Sequence, residues 1–241
     1  MNGTLSTKAC PELELNRPSS IGSGLGDRHF HRRGHGIEFE MEADWVRFHL
    51  SPKLSLVADI GCGNGSLFPV IGTDRALGVD YCAEGLSHTS ARFPSVPLLC
   101  ADAASLPFSD CQLDAITAQH VVEHIPAYKQ ACREWWRVLR PGGKLLLLTP
   151  NPAFCDPAVY DDKTHVRLFD PRDLSAVLTD AGFAINDLRT IGLPWFRGYR
   201  GIPAGWRVRR LVTRRLRWLS TLPPWRWRGQ TLCCAARRPM C

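Results

Sequence analysis

The chain has 241 residues, of which 44% are hydrophobic and 22% are charged, and its formal net charge is +7. This length allows one large α/β domain with a sizeable core, or a core domain with a small lid. No apolar run of about 18 residues occurs, which excludes a membrane-spanning helix, and ten cysteines without a C-x-x-C motif do not support a zinc site.

The N-terminal part predicts a disordered segment followed by a helix. Residues 1–28 are polar, rich in Gly, Ser and Pro, and without a periodic apolar pattern. They lack the apolar core of a secretory signal, and the scattered cysteines suit a reducing compartment, so we expect a cytoplasmic protein. The histidines of residues 29–35 have no acid or cysteine among them, which favours a solvated or substrate-edge loop over a metal site. Residues 36–50 carry apolar side chains at helical spacing.

A strand, a glycine loop and a helix are predicted at residues 57–67. Val57-Ala58-Asp59-Ile60 is a short apolar run that suits a buried parallel strand. Gly61, Gly63 and Gly65 follow it, and they permit a tight turn and a close approach of the backbone to a ligand. The next helix would offer its first N–H groups to that ligand, as in the crevice of an open α/β sheet.

Strand and helix patterns alternate along the chain, which predicts a doubly wound, Rossmann-like α/β fold. Seven strands are predicted, at 54–60, 76–80, 96–102, 113–118, 144–149, 183–191 and 230–236. Helices are predicted from Ser66, which Pro69 keeps short, and at 83–92, 128–139 and 171–181. Asp170 is the expected N-cap of the last of these helices.

The glycine spacing and three acids distinguish between two ligands. A dinucleotide fingerprint reads G-x-G-x-x-G, whereas the loop at 61–65 is one residue shorter at its last step. Asp59 precedes the loop, and Asp80 and Asp102 end the second and third predicted strands. An acidic rim repels a pyrophosphate but suits an amino-acid tail, a ribose and an adenine. Asp80 can accept ribose hydroxyls, Asp102 can accept the adenine amino group, and Ala103 can donate its N–H.

With these motifs the chain resembles the class I S-adenosylmethionine-dependent methyltransferases, in particular the small-molecule branch that includes the ubiquinone-biosynthesis O-methyltransferases. The resemblance covers residues 54–191 and rests on 57–67, 77–80, 100–103, 113–125 and 137–144. It implies S-adenosylmethionine as cofactor, a seven-stranded sheet with an antiparallel last strand, and a methyltransferase domain at 29–241. The implied cofactor site is lined by Asp59, Gly61, Gly63, Gly65, Asp80, Asp102, Ala103 and Gln119. The alternative to a cofactor site is a purely structural role for these residues. The three glycines would then only form a turn, and Asp80 and Asp102 would only cap the helices that follow them.

Two groups of histidines are candidates for the chemistry. His120, Glu123 and His124 would share one face if their segment were helical, and His165 follows a polar loop. Methyl transfer depends mainly on positioning, but an oxygen or nitrogen acceptor can need a base, for which histidine is suited. His165 and His124 are therefore the predicted catalytic residues. The alternatives are a divalent metal held by all four residues, and a purely structural Glu123–His124 pair. Metal is not favoured, because relatives proposed to bind one have a glutamate where this chain has His120.

Residues 194–228 are predicted to form a basic lid before the last strand. Residues 188–241 contain 13 Arg and no Lys, Asp or Glu, so the rest of the chain is net acidic. Apolar residues at helical spacing accompany these arginines, with Trp206, Trp218, Trp225 and Trp227 in or beside the predicted helix. This combination suits peripheral contact with an anionic membrane. It also suits RNA phosphates, although no familiar RNA-methylating motif occurs. A lid with merely solvated arginines is the third interpretation. The predicted function is O-methylation of a small molecule, such as a lipid, quinone, polyketide or sugar.

Overall fold

The computed structural model describes residues 37–155, 162–192 and 228–240. The predictions of a disordered segment and a histidine loop at 1–36 therefore lie outside the described residues. The same holds for the predicted lid, of which only its last residue, Arg228, is described. None of the described helices is both long and apolar enough to cross a bilayer.

A seven-stranded sheet is the centre of the described structure. Its strands are β1 (Val57–Ile60), β2 (Ala76–Asp80), β3 (Leu98–Cys100), β4 (Leu113–Gln119), β5 (Leu139–Pro150), β6 (Ala184–Ile191) and β7 (Thr231–Arg237). They lie in the order β3-β2-β1-β4-β5-β7-β6. The pairs from β3 to β5 are parallel, whereas β7 is antiparallel to both β5 and β6. The predicted sheet, mostly parallel with an antiparallel last strand, is confirmed.

Helices cover both faces of this sheet. Those in the described residues are α1 (Ile37–His49), α2 (Phe68–Ile71), α3 (Ala83–Arg92), a 3-10 turn (Val122–His124), α4 (Tyr128–Val138) and α5 (Pro171–Asp180). Buried side chains of α4 and α5 pack with one face of the sheet, and those of α1, α2 and α3 pack with the other. The fold is therefore a three-layer α/β/α arrangement.

Local chemistry explains where several elements begin. Asp170 caps α5, because its Oδ1 accepts hydrogen bonds from the backbone N–H groups of Arg172 and Asp173 at 2.7 and 2.8 Å. β1 begins at Val57, three residues later than predicted. The N–H groups of Ser55 and Leu56 donate to the Asp114 carboxylate instead of a neighbouring strand.

β5 begins five residues earlier than predicted. Leu139 already pairs with Leu113 of β4, and a bulge separates that pair from the regular ladder, which resumes at Lys144. The residues between them, which lie between the predicted helix at 128–139 and the predicted strand at 144–149, are therefore part of the strand. The C-terminal ends of β1, β2, β3 and β4 lie along one edge of the sheet, where parallel α/β sheets bind their ligands.

Candidate functional site

The glycine loop after β1 has a backbone conformation that favours glycine. The φ angles are +66° at Gly61, +50° at Gly63 and +70° at Gly65. A Cβ atom on Gly61 would lie 2.1 Å from the Val121 side chain, because the loop after β4 packs against the glycine loop. At Gly63, no atom of the described residues lies within 4 Å of such a Cβ. A ligand can therefore approach the backbone of Gly63.

Gly61→Ala is expected to lower the free energy of unfolding by at least about 2 kcal/mol, because left-handed backbone strain and overlap with Val121 add together. Gly63→Ala is the matched control, since it introduces the same backbone strain in open space and should cost about 1 kcal/mol. Urea unfolding of both variants measures the difference. Equal losses in the two variants would show that Val121 does not press on Gly61.

Asp59 is a buried acid in the strand below this loop. Its side chain accepts a hydrogen bond from the Thr117 hydroxyl at 2.7 Å. Burial raises the pKa of Asp59 to about 7; the Thr117 hydrogen bond opposes this rise and the negative charge of Asp80 reinforces it. A cationic group placed beside Asp59 would favour its charged form. The site can therefore accept a ligand ammonium group.

Asp80, the last residue of β2, connects this strand to the glycine loop. One carboxylate oxygen accepts the Gly63 N–H at 3.0 Å, and the other accepts the Cys82 N–H at 3.0 Å, just before α3. Asp80 thus orders the turn into α3. This is the helix-capping role that the sequence left open as an alternative to ligand binding. The Asp80 carboxylate therefore lies at the ligand edge of the sheet, beside the glycine loop.

Asp102 and Ala103 follow β3 on the same edge of the sheet. Asp102 is exposed, and its carboxylate accepts the Ala104 N–H at 2.8 Å. The Ala103 carbonyl accepts a hydrogen bond from the indole N–H of Trp135 at 3.0 Å, so α4 holds this turn from the core side. Asp102 and Ala103, the predicted adenine-binding residues, thus follow the strand that lies next to the one ending at Asp80.

The side chain of Gln119, at the end of β4, is directed towards α1. Its amide nitrogen donates to the Glu42 carboxylate at 2.5 Å. Glu42 is only 5% exposed, and it also accepts the Thr231 hydroxyl at 2.6 Å. Gln119 therefore belongs to a buried polar network that connects α1, β4 and β7.

His120 occupies the centre of that network. Its Nε2 lies 3.1 Å from Glu42 Oε1, and its Nδ1 lies 3.5 Å from Glu123 Oε1. Burial would lower the pKa of His120, but these two carboxylates raise it to about 9. His120 is consequently a cation near neutral pH and a poor proton acceptor.

The helical face proposed for His120, Glu123 and His124 does not form. Only Val122–His124 is helical, as a single 3-10 turn, and His120 precedes it with a left-handed φ of +53°. His120 and Glu123 still meet, but His124 contacts the segment at 164–165 instead. The sequence pattern missed this break because Glu42, one of the two carboxylates that hold His120, lies far from the segment in the sequence.

His124 and His165, the predicted catalytic pair, are adjacent, with ring centroids 4.7 Å apart. His124 Nδ1 lies 3.1 Å from both the carbonyl oxygen and the hydroxyl oxygen of Thr164. The Thr164 hydroxyl itself donates to Asp162 at 2.6 Å. Nδ1 of His124 must therefore donate, and the lone pair of its neutral ring lies on Nε2. This tautomer can accept a proton at Nε2.

A metal ion is one conceivable ligand of this region. Among the described residues, Glu123, His124 and His165 each place a potential ligand atom within 4.8 Å of the others. However, one Glu123 oxygen faces the His120 cation, and the other accepts the Thr149 hydroxyl at 3.0 Å. One hydrogen bond and one ion pair already compensate this buried carboxylate, so its burial does not require a metal.

Several residues that shape the site were not singled out from the sequence. Glu42, Thr117 and Val121 each contact a predicted site residue or the glycine loop. One signal for Glu42 was present, because this acid lies between Met41 and Trp45 on the apolar face of α1. Thr117 and Val121 lie in apolar runs and carry no comparable signal.

Comparison with known proteins relates part of this chain to methyltransferases. Residues 58–147 match a family model described as a methyltransferase domain. The chain is 33% identical over 141 residues to a probable S-adenosylmethionine-dependent methyltransferase of Mycolicibacterium smegmatis, an alignment that covers 57% of this chain and 54% of that protein.

Two further relatives have more specific names. The chloroplastic 2-phytyl-1,4-beta-naphthoquinone methyltransferase of Arabidopsis thaliana is 28% identical over 132 residues, 49% of each chain. The probable tRNA methyltransferase 9B of Mus musculus is 40% identical over 96 residues, which are 39% of this chain and 21% of that protein. The chain thus spans about half or less of the length of these relatives.

The fold itself has close counterparts among solved structures. An S-adenosylmethionine-dependent methyltransferase from Mesorhizobium loti superposes with a TM-score of 0.62 at 18% identity, covering 84% of this chain and all of that one. The cofactor that the family implies is S-adenosylmethionine. Residues 58–147 are thus a methyltransferase domain, and the chain is a homologue, with the class I fold, of the S-adenosylmethionine-dependent methyltransferases.

Proposed function

We propose that this protein transfers a methyl group from S-adenosylmethionine to an oxygen atom of a small molecule. The observation that carries this proposal is the hydrogen bond from the Gly63 N–H to Asp80, which sets an acid beside an open, glycine-lined crevice. The homology supports the cofactor, and two histidines near the crevice edge supply a base for the acceptor.

The residues of the crevice would divide the cofactor among them. Asp80 accepts the ribose hydroxyls, while Asp102 and the Ala103 N–H take the adenine. Asp59 and the glycine-lined backbone of the loop at 61–65 face the amino-acid tail, and Gln119 lines the end of β4. When bound, the cofactor supplies an electrophilic methyl group on a sulfonium. Most of the catalytic effect then comes from holding the acceptor in line with that methyl group.

His124 is the proposed proton acceptor, with His165 beside it. Asp162 orients the Thr164 hydroxyl, and Thr164 accepts from Nδ1 of His124, which leaves the lone pair on Nε2. A base of this kind removes the proton of an acceptor hydroxyl during transfer. His120, held as a cation, has a structural role in this scheme.

His124→Ala and His165→Ala are each expected to lower kcat about a hundredfold, since general bases contribute on that order, while cofactor affinity stays unchanged. His88→Ala, at an exposed position of α3, is the control. The measurement is mass spectrometry of a cell extract incubated with enzyme and cofactor carrying an isotopically labelled methyl group. Turnover of both histidine variants within about threefold of wild type would exclude a base at this pair.

Two observations bear on the chemical class of the methyl acceptor. The Arabidopsis thaliana relative is named for a naphthoquinone substrate. The arginines and tryptophans of residues 194–228 suit an anionic membrane surface, where a lipid-like or quinone acceptor would reside. We therefore propose a lipid-like acceptor before a polyketide or a sugar.

RNA is the second candidate acceptor. The partial relative of Mus musculus is named as a probable tRNA methyltransferase, and the basic C-terminal composition suits phosphates. The labelling experiment distinguishes the two, because label would enter a small organic product in one case and tRNA in the other. Tight cofactor binding without any labelled product would instead indicate a non-catalytic binding protein.

A further inference from the structure

Glu42 is a buried carboxylate with three side-chain partners from two separate segments of the chain. It accepts from Gln119, the last residue of β4, at 2.5 Å, and its Oε1 lies 3.1 Å from Nε2 of His120. The Thr231 hydroxyl, at the start of β7, donates to the same carboxylate at 2.6 Å. A carboxylate that is 5% exposed must be compensated in this way, because an uncompensated charge in the core is strongly unfavourable.

The other contacts of α1 are of different kinds. Met41, Trp45 and Val46 are buried in the apolar layer beneath the helix. Near one end of the helix, Glu38 accepts from Gln230 at 3.1 Å in an exposed position. At its other end, the His49 carbonyl accepts from Lys144 at 2.8 Å. Glu42 therefore stands out among the described residues of α1 as the buried charged side chain near the ligand edge of the sheet.

From Glu42 a short chain of contacts leads to the glycine loop. His120 is held between Glu42 and Glu123 with a left-handed backbone, a strained conformation for a residue with a Cβ atom. The next residue, Val121, fills the space where a side chain on Gly61 would lie. A change at Glu42 would therefore alter the segment that presses on the cofactor loop.

We propose that Glu42 is a positioning residue that couples the docking of α1 to the geometry of the cofactor crevice. With Glu42 in place, Gln119 and His120 hold the segment at 119–124 against the glycine loop. Without it, that segment relaxes and α1 separates from the ligand edge. The coupling to cofactor affinity rests on the proposed function, whereas the clamp between α1 and the loop after β4 does not.

Hydrogen–deuterium exchange of the cofactor-free full chain tests the clamp. Glu42→Gln keeps an oxygen for two of the three donors but removes the charge, so exchange at 119–124 and within α1 should rise about tenfold. Glu42→Ala should raise it further, and Glu40→Gln, two residues away on the same helix, should leave it unchanged. Exchange at 76–92 should stay constant in Glu42→Gln, because a local clamp does not affect β2 and α3.

Calorimetric titration with S-adenosylmethionine then tests the coupling. Glu42→Gln is expected to bind about tenfold more weakly than wild type and Glu40→Gln equally well, in the usual range for coupled sites. If wild type bound no cofactor, the proposed function would fail while the exchange data still tested the clamp. If Glu42→Ala did not fold, Glu42→Gln alone would be tested. Exchange at 119–124 within about twofold of wild type in that variant would overturn the inference.

Discussion

Asp80→Ala is expected to weaken the binding of S-adenosylmethionine at least about a hundredfold. Two effects combine, because the variant loses the proposed acceptor of the ribose hydroxyls and also the partner of the Gly63 N–H. Each charge-assisted hydrogen bond contributes about 1.5–3 kcal/mol, so losing the proposed bonds to both ribose hydroxyls corresponds to a hundredfold or more in affinity. Disorder of the loop at Gly63 would weaken binding further. Equilibrium dialysis with labelled cofactor measures the change.

Two further variants separate these effects. Asp80→Asn retains an oxygen for the Gly63 N–H, so it should keep the loop ordered and bind the cofactor better than Asp80→Ala does. Asp74→Ala removes an exposed acid just before β2 and should bind like wild type. If Asp80→Ala also bound within about threefold of wild type, the assignment of the crevice would be wrong.

Asp59→Asn is expected to stabilise the cofactor-free protein, and to do so more strongly as the pH rises. The pKa of Asp59 is about 7 in the folded protein against an ordinary value of 3.8. Between these values the folded state binds a proton that the unfolded state releases. The stability associated with this proton is complete below about pH 4 and is lost as the pH rises through 7. Wild type therefore has a buried charge at pH 8 that Asn lacks.

The advantage of Asp59→Asn should grow by about 2 kcal/mol between pH 5 and pH 8, since each unit of pKa shift corresponds to about 1.4 kcal/mol. The Asn oxygen can still accept the Thr117 hydroxyl, so packing is preserved. Urea unfolding at the two pH values measures the effect, with Asp180→Asn, an exposed acid of α5, as control. An advantage of the same size at both pH values would show that the pKa of Asp59 is not raised.

The same variant should lose affinity for the cofactor, because a neutral amide cannot balance a ligand ammonium group. Stability and binding would then change in opposite directions at one residue. Such opposition is common where a site keeps a buried charge for its ligand. These two results together would identify Asp59 as a functional acid that costs the empty protein stability.

The strands and the glycine turn after β1 could be predicted from the sequence because their signals are local. The apolar run at 57–60 and the glycines at 61–65 lie together in the chain, and so does the acid that ends β2. The parallel pairing of β1 with β2 then places Asp80 beside the loop. For that part of the site, short-range patterns suffice together with the rule that open α/β sheets bind ligands at the carboxyl ends of their parallel strands.

The Glu42 network could not be predicted in this way. Its partners, Gln119, His120 and Thr231, are separated from Glu42 by 77, 78 and 189 positions along the chain. Only the docking of α1 brings them together. The same contacts give His120 its left-handed backbone, so the helical spacing of residues 120–124 was misleading.

Calorimetric titration of the cofactor-free protein with S-adenosylmethionine and with NAD⁺ distinguishes the two ligands that a glycine loop of this kind admits. The acids at 59, 80 and 102 predict saturable binding of S-adenosylmethionine at one site per chain, with micromolar affinity on the order of typical enzyme substrates. They predict no binding of NAD⁺, whose pyrophosphate meets an acidic rim. Binding of NAD⁺ without binding of S-adenosylmethionine would contradict the assignment of the crevice.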